Sequence, residues 1–303
     1  MSNNTETTAT TTATTTATTT TPVIPTLPAW VWSRLRLVGV HDGVFHADDL
    51  VGAAMIKLVA HDVKFIRSRE PDELKKADII FDVGCGPYDH HSSTQKLEVD
   101  ENGNPFCGAS KLWLAGLAEA LLPGQPVAQG WFYTHVLTPI SLQDNGWGLR
   151  PGDIHYFQWV SQFNPNWDDD GSIDDPDPFE SGFEWALVEA EPLVRRLLEK
   201  ARAYARGIRW LTEHVDREAW IAELPSGGIQ DAMDWLRKNT DAKFVIYPGT
   251  SSTPWYAQCV PEPEGDLNTK QVPFPEEWLG LRGDKLSEVA GIQGGIFCPP
   301  TCF

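Results

Sequence analysis

The chain has 303 residues, of which 41% are apolar and 13 are tryptophan, so a folded protein with two domains and a sizeable core is expected. Its 24 basic and 42 acidic residues give a formal charge of −18, which opposes general adhesion to nucleic acid. Bound cations and a local basic track can still reverse the field at a single site.

The N-terminal sequence and the cysteines predict a cytoplasmic, soluble protein. No stretch approaches the ~20 consecutive apolar residues that a membrane helix needs, and the first residues lack the basic and apolar regions of a secretory signal. The five cysteines form no Cys-x-x-Cys pair, so a reducing compartment is expected and a disulfide framework is not. Residues 1–28 form a Thr-rich segment that ends in prolines, a composition typical of disordered tails.

From Trp30 onward, short apolar runs alternate with a helical stretch. Residues 34–40, 63–67 and 78–82 predict three strands, and residues 48–59 predict an amphipathic helix after the first of them. Strands separated by helices at this spacing form parallel sheets with crossover connections. We therefore expect an α/β domain with a parallel sheet, whose ligands lie at the carboxyl ends of the strands.

The second half of the chain predicts more helix and a second sheet. Residues 109–122 and 131–142 predict helices, residues 164–179 a surface loop or domain boundary, and residues 182–214 a long helix. A smaller, more antiparallel domain is expected from four strand-like segments, residues 219–223, 243–247, 255–260 and 295–297. The predicted divisions are a tail at 1–28, a first domain at 29–180, and a linking helix with an α+β domain at 181–303.

Imidazole and carboxylate side chains cluster where the predicted strands end. His41 follows the first strand and Asp82 closes the third, so both are expected at one edge of the sheet. Helix capping and turn formation are the alternative roles for Asp48 and Asp144. Mixed nitrogen and oxygen ligands of this kind suit divalent ions and favour a two-metal site for phosphoester cleavage. The candidate metal ligands are His41, His46, Asp48, Asp82, His90 and Asp144.

Two motifs are similar to those of a known family. They are His41-x-Gly43-x-Phe45-His46-x-Asp48-Asp49 and Tyr88-Asp89-His90-His91. The second resembles the signature of the DHH phosphoesterase superfamily, and both together resemble the melanocyte-proliferating-gene-one exonuclease family. Shorter matching stretches continue in order to about residue 297, among them Asp144-Asn145-Gly146 and Asn164-Pro165-Asn166-Trp167.

The resemblance implies a parallel-sheet DHH-type catalytic domain joined by a long helix to a smaller α+β substrate-binding domain. It also implies two divalent cations that share Asp82 and activate a hydroxide for attack on phosphorus. Mn²⁺ is expected before Mg²⁺, because imidazole replaces a carboxylate at His46. The predicted catalytic residues are His91, which contacts the phosphate, with Asp82 and Asp89, which fixes the tautomer of a neighbouring imidazole. Asp49 is left open between helix capping and catalysis.

Substrate contacts are predicted for three arginines. Arg67 and Arg69 lie at a strand end, where they are expected beside the metal site, and Arg282 is a weaker candidate. The relatives continue past Gly295-Ile296-Phe297 into a Gly-Gly-His-type element that helps hold nucleic acid. We therefore expect a shortened substrate-binding domain in this chain, which favours smaller substrates.

The predicted function is a metal-dependent phosphodiesterase, a 3′–5′ exonuclease that acts on single-stranded RNA or short oligonucleotides. The first alternative is a hydrolase of a small phosphoanhydride or a (cyclic) dinucleotide that uses the same ions. The second is a non-catalytic DHH-fold binding protein, against which the intact ligand positions argue. The sequence predicts no membrane partner and leaves the oligomeric state open.

Overall fold

A computed structural model of the chain describes residues 22–91, 98–166, 168–169, 175, 177–249, 255–264 and 269–300. Residues 1–21 of the predicted tail, Trp167 and part of the acidic loop that follows it lie outside these described residues. The chain divides into two compact units, Met1–Glu199 and Lys200–Phe303. The domain boundary at residue 180 stays a prediction.

The first unit contains a three-stranded parallel sheet, which confirms the predicted α/β class. Its first three helices are α1 (Ala29–Trp32), α2 (Ala47–Val59) and α3 (Pro71–Leu74). The strands are β1 (Leu37–Val40), β2 (Lys64–Arg67) and β3 (Ile79–Ile80), in the order β2-β1-β3. Val38 of the central strand pairs with Phe65 on one side and Ile79 on the other. The last three residues of β1 are buried, as expected for a strand covered on both faces.

The third strand is shorter than residues 78–82, the predicted range. Phe81 still donates its N–H to Gly39 O at 3.0 Å, but Asp82 turns away from the sheet and donates to Tyr88 O at 3.2 Å. The backbone of Asp82 is left-handed, with φ 56°, a conformation that aspartate tolerates better than most residues. Asp82 therefore lies in the turn beyond β3, and the prediction that it closes the strand was wrong.

Each of the two predicted helices at 109–122 and 131–142 is interrupted by a π-helical turn. The first consists of α4 (Gly108–Leu112), a π turn at Trp113–Leu117 and α5 (Ala118–Leu121). The second consists of α6 (Pro126–Phe132), a π turn at Tyr133–Leu137 and α7 (Thr138–Asp144), followed by α8 (Tyr156–Val160). Gly116 adopts φ 110° in the first, and Pro139, which has no N–H to donate, lies in the first turn of α7 after the second. Helix α2 packs against α4, α5, α7 and α8 and is buried from Ala47 to Ile56.

The second unit has a mixed sheet. The long helix α9 (Pro178–His214) begins four residues before its predicted start and ends where predicted. The remaining elements are β4 (Ile221–Glu223), α10 (Ala232–Asn239), β5 (Phe244–Pro248), β6 (Trp255–Cys259), a 3₁₀ turn at Glu276–Trp278 and α11 (Gly283–Ala290). Strand β5 is parallel to β4, because α10 connects the two strands. It is antiparallel to β6.

The predicted strand at residues 295–297 was wrong, because Phe297 forms only an isolated bridge with Arg282. The core of this unit includes Leu211, Leu236 and Val245, all fully buried. No helix among the described residues has both the length and the apolar character required to cross a bilayer.

Candidate metal centre

Asp82 lies among three imidazoles. Its Oδ2 is 3.5 Å from His41 Nε2, and its Oδ1 is 3.0 Å from His90 Nε2 and 3.8 Å from His91 Nδ1. The turn that places Asp82 has left-handed backbone at both Asp82 and Cys85. Such conformations cost free energy and persist where the surrounding structure fixes them, which is common at functional sites.

A second group of contacts joins the start of α2 to the end of α7. Asp144 Oδ2 is 2.8 Å from His90 Nε2, and Asp144 Oδ1 is 3.9 Å from His46 Nδ1. Asp48 Oδ2 is 4.0 Å from His90 Nε2. The turn after β3, the first turn of α2 and the last residue of α7 therefore deliver their side chains to one place.

Asp49 caps α2 and also lies beside the candidate ligand His41; its catalytic role stays a prediction. Its Oδ2 accepts the backbone N–H of His46 at 2.8 Å, which caps α2, and lies 2.9 Å from His41 Nε2. Its Oδ1 is buried without a hydrogen-bonding partner. Asp49 is therefore a seventh candidate ligand in addition to the six that the sequence predicts.

Four overlapping groups of side chains among the described residues bring possible ligand atoms within 4.8 Å of one another. They are His41–His46–Asp49, His46–Asp48–Asp144, Asp82–His90–His91 and Asp48–Asp49–Asp82. All six predicted ligands belong to these groups. His91, which the sequence assigned to the phosphate, belongs to one of them as well.

The donor atoms of this cluster fit divalent cations. Several are buried without a hydrogen-bonding partner: Asp48 Oδ1, Asp49 Oδ1, both carboxylate oxygens of Asp82, Asp144 Oδ2 and His90 Nε2. Buried carboxylates without partners are costly, and cations remove that cost. Two ligands bound at about 2.1 Å and at right angles lie about 3 Å apart. His90 Nε2 has that spacing from Asp82 Oδ1 and from Asp144 Oδ2.

The ionisation states of the cluster are coupled. Burial lowers the pKa of His41 and His90, but the adjacent carboxylates of Asp49, Asp82 and Asp144 outweigh it and raise the pKa of both imidazoles to about 10. Burial and the charge of Asp82 raise the pKa of Asp49 to about 7. A cluster that holds protons at neutral pH must exchange them for metal ions.

Mn²⁺ binding at pH 7 is expected to release protons from His41 and His90. Both imidazoles are protonated in the metal-free chain because their pKa is about 10, whereas a ligating nitrogen carries no proton. His41 Nδ1 is 2.9 Å from Asp42 O and keeps its proton there, so Nε2 loses one. Calorimetric titrations in buffers of different ionisation enthalpy measure the release. A binding enthalpy that is the same in every buffer contradicts the prediction.

His91 is oriented by the aspartate two residues before it. Asp89 Oδ1 is 2.8 Å from His91 Nδ1 and also accepts the backbone N–H of His91, while Asp89 Oδ2 accepts the N–H of Cys85 at 2.6 Å. Burial raises the pKa of Asp89, but these hydrogen bonds outweigh it and keep the pKa below its usual range. The ionised carboxylate of Asp89 therefore fixes the orientation of the His91 ring.

Arg67 contacts the backbone of the loop that carries His41 and His46. Its Nη2 donates to Gly43 O at 2.6 Å and its Nη1 to Phe179 O at 2.8 Å. The guanidinium also lies 4.6 Å from the ring centroid of Phe183, and only 2% of the side chain is exposed. The sequence predicted a phosphate contact for Arg67. Because burial removes it from solvent, we assign it instead to holding the loop.

The other two predicted arginines occupy different surroundings. Arg69 is 62% exposed and forms an ion pair with Asp42 at 3.1 Å, so its guanidinium can meet a phosphate in solvent. Arg282 belongs to the second unit, where it precedes α11 and its guanidinium lies 3.9 Å from the ring centroid of Phe297. Their roles in substrate binding stay predictions.

Comparison with known proteins identifies the chain at the level of a family. The family profile MYG1_exonuc, described as Uncharacterised protein family (UPF0160), matches residues 37–117 and 130–303. The chain belongs to this family. All candidate ligands of the metal centre lie within the matched residues. The predicted resemblance is confirmed, as is the predicted enzyme class, a hydrolase of the nuclease or phosphoesterase type.

Named members of the MYG1 family are similar over most of this chain. The MYG1 protein of Chlamydia muridarum is 30% identical, covering 88% of this chain and 90% of its own length. The human MYG1 exonuclease is 29% identical, covering 88% of this chain and 80% of the human protein. A solved pGpG-specific phosphodiesterase, PggH of Vibrio cholerae, is 11% identical over 71% of this chain and 79% of its own, with a TM-score of 0.28. A score this low does not establish a shared fold.

Two further residues of this MYG1-family chain hold parts of the metal centre in place, and the sequence did not predict either of them as a site residue. Asn164 lies 119 positions from Phe45, yet its amide accepts the N–H of Phe45 at 3.0 Å and donates to the carbonyl of Phe45 at 2.9 Å. Gly108 donates its N–H to Asp48 Oδ2 at 3.3 Å. The Asn-Pro-Asn stretch was the available signal for Asn164. Nothing in the sequence marks Gly108.

Replacing Gly108 by alanine is expected to displace Asp82. A Cβ atom at this position would come within 2.7 Å of Asp82 Cβ, closer than real Cβ atoms approach. We expect a loss of about 1–3 kcal/mol in the free energy of unfolding and roughly 10-fold weaker Mn²⁺ binding. Thermal unfolding and calorimetry measure the two effects.

The matched control for this substitution is Gly130→Ala. Gly130 lies in α6, where a Cβ atom would meet nothing within 4 Å, so this variant is expected to keep or gain stability. Equal behaviour of the two alanine variants would contradict the role of Gly108.

Proposed function

We propose that this chain is a Mn²⁺-dependent phosphodiesterase that shortens single-stranded RNA or short oligonucleotides from the 3′ end. The observation that carries the proposal is the set of buried, unpartnered ligand atoms around Asp82. Relatives such as the human MYG1 exonuclease are named as exonucleases, which supports nucleic acid as the substrate class. The acidic charge of the chain is compatible with a nucleic-acid substrate, because two cations reverse the field locally.

The residues that would hold the ions are His41, His46, Asp48, Asp49, Asp82, His90 and Asp144. Asp82 is suited to serve both ions, because its two oxygens face different imidazoles, His41 and His90. When bound, two divalent cations lower the pKa of a coordinated water and stabilise the charge that develops on phosphorus. The mixture of imidazole and carboxylate donors favours Mn²⁺ over Mg²⁺.

His91 and Arg69 are the side chains available to the substrate. His91 is 59% exposed, the most exposed imidazole of the cluster, and Asp89 fixes its orientation. We assign His91 to the scissile phosphate or to the proton of the leaving oxygen. Arg69, two residues beyond β2, supplies a positive charge for a phosphate of the substrate.

Digestion of a 5′-labelled single-stranded RNA in the presence of Mn²⁺ tests the proposal. A ladder of progressively shorter labelled products is expected, because digestion begins at the unlabelled 3′ end. Immediate release of a labelled mononucleotide would mean that digestion begins at the 5′ end instead. Phosphate release from pyrophosphate, or cleavage limited to dinucleotides, would favour the small-substrate alternative. A chain that binds Mn²⁺ and cleaves none of these is the non-catalytic binding protein.

A further inference from the structure

We propose that a cleft beside His46 is a stacking site for one nucleobase of the substrate, with Phe157 as the side chain that contacts the base. This inference rests on the proposed function and adds to it where the substrate is held. It concerns residues that the metal centre does not use as ligands, apart from the ring of His46.

The cleft has a volume of about 110 Å³ and lies between the loop before α2 and helix α8. It is lined by Val44, Phe45 and His46 of the loop, by Phe157 and Val160 of α8, and by Ser161 and Asn164, which follow α8. It therefore adjoins the metal centre directly, because His46 belongs to both.

Phe157 is an aromatic ring in contact with a candidate metal ligand and with solvent. Its ring stacks on His46 with centroids 5.3 Å apart and an interplanar angle of 20°. Phe157 is nevertheless 40% exposed, and Val44 across the cleft is 51% exposed. Two large apolar side chains thus line an open cleft one ring away from the ions that would hold the phosphate.

The polar groups of the cleft are already engaged. The amide of Asn164 makes two hydrogen bonds with the backbone of Phe45, and Ser161 Oγ donates to Gln158 O at 3.0 Å. The cleft therefore suits a flat apolar surface better than a phosphate or a sugar. In an oligonucleotide the flat surface is the base, which is joined to its phosphate by a single sugar. Stacking of this kind accepts any base, since every base has a π-face.

Cleavage of the dinucleotide ApA and its two analogues with one abasic sugar tests the stacking site. Phe157→Ala is expected to raise KM for ApA by about 5- to 150-fold, the range for loss of one base–aromatic stack, and Phe157→Trp to retain the wild-type KM. For the analogue that lacks the stacked base, wild type and Phe157→Ala are expected to have the same KM. Val44→Ser, at an exposed position, is expected to raise KM for ApA in the same way.

The inference and the proposed function fail in different ways. If Phe157→Ala impairs cleavage of ApA and of both abasic analogues equally, Phe157 only supports His46 and the stacking site is overturned. If wild type cleaves ApA and both analogues with equal KM, no base is held and the inference is overturned while the function stands. If wild type with Mn²⁺ cleaves neither ApA nor RNA, both are overturned.

Discussion

Replacing Asp82 by asparagine is expected to abolish Mn²⁺-dependent hydrolysis. The substitution keeps the shape of the side chain but removes the charge that faces His41 and His90. Loss of a residue that only orients a ligand costs up to about 100-fold in metal affinity or activity, so loss of a ligand shared by two ions is expected to exceed that factor. Initial rates on labelled RNA measure the effect.

Asp62→Asn is the matched control for Asp82→Asn. Asp62 is exposed in the turn between α2 and β2 and lies outside the metal centre, so its variant is expected to cleave RNA at the wild-type rate. If Asp82→Asn retains more than about one hundredth of the wild-type rate, an effect no larger than that of an orienting residue, Asp82 is not a shared ligand.

Replacing Arg67 by methionine is expected to destabilise the protein and weaken metal binding together. The variant leaves the half-buried carbonyls of Gly43 and Phe179 without their charged donor, and the loss of two such hydrogen bonds costs about 3–5 kcal/mol. A loss of that size lowers the melting temperature by roughly 10 °C. Because Gly43 lies between His41 and His46, weaker Mn²⁺ binding is expected at temperatures where the variant is still folded. Calorimetry and thermal unfolding measure both effects.

Arg69→Met separates loop positioning from phosphate binding. Arg69 is two residues further along the chain but is exposed, and its pair with Asp42 is worth no more than about 1 kcal/mol. This variant is expected to keep the wild-type melting temperature and Mn²⁺ affinity while KM for RNA rises. If Arg67→Met behaved in the same manner, Arg67 would be a substrate-binding residue after all.

The parallel sheet and the ligand positions follow from local sequence patterns. Short β-branched runs separated by a helix require a parallel sheet, and polar residues after those runs then meet at one edge. This reasoning places His41, which directly follows β1, at that edge. It also places there His46, which precedes α2, and Asp48, which lies in the first turn of α2.

The exceptions depend on contacts that local patterns do not contain. Asp82 leaves the sheet because its N–H pairs with Tyr88 O, and this return contact is not visible in the run of apolar residues before it. Asn164 reaches Phe45 across 119 positions. Arg67 is charged and at a strand end, so it resembles a surface residue, yet Phe183 covers it with a ring. Such contacts form only when the whole unit is folded.

The most direct test of the metal centre is the number of Mn²⁺ ions bound per chain at equilibrium, measured by dialysis and elemental analysis. We predict about two ions for the wild-type chain, because Asp82 belongs to two of the four ligand groups and its two oxygens face different imidazoles. The Asp82→Asn variant is predicted to retain less than one. A wild-type chain that binds no Mn²⁺, or an Asp82→Asn variant that binds as many ions as wild type, would contradict the account.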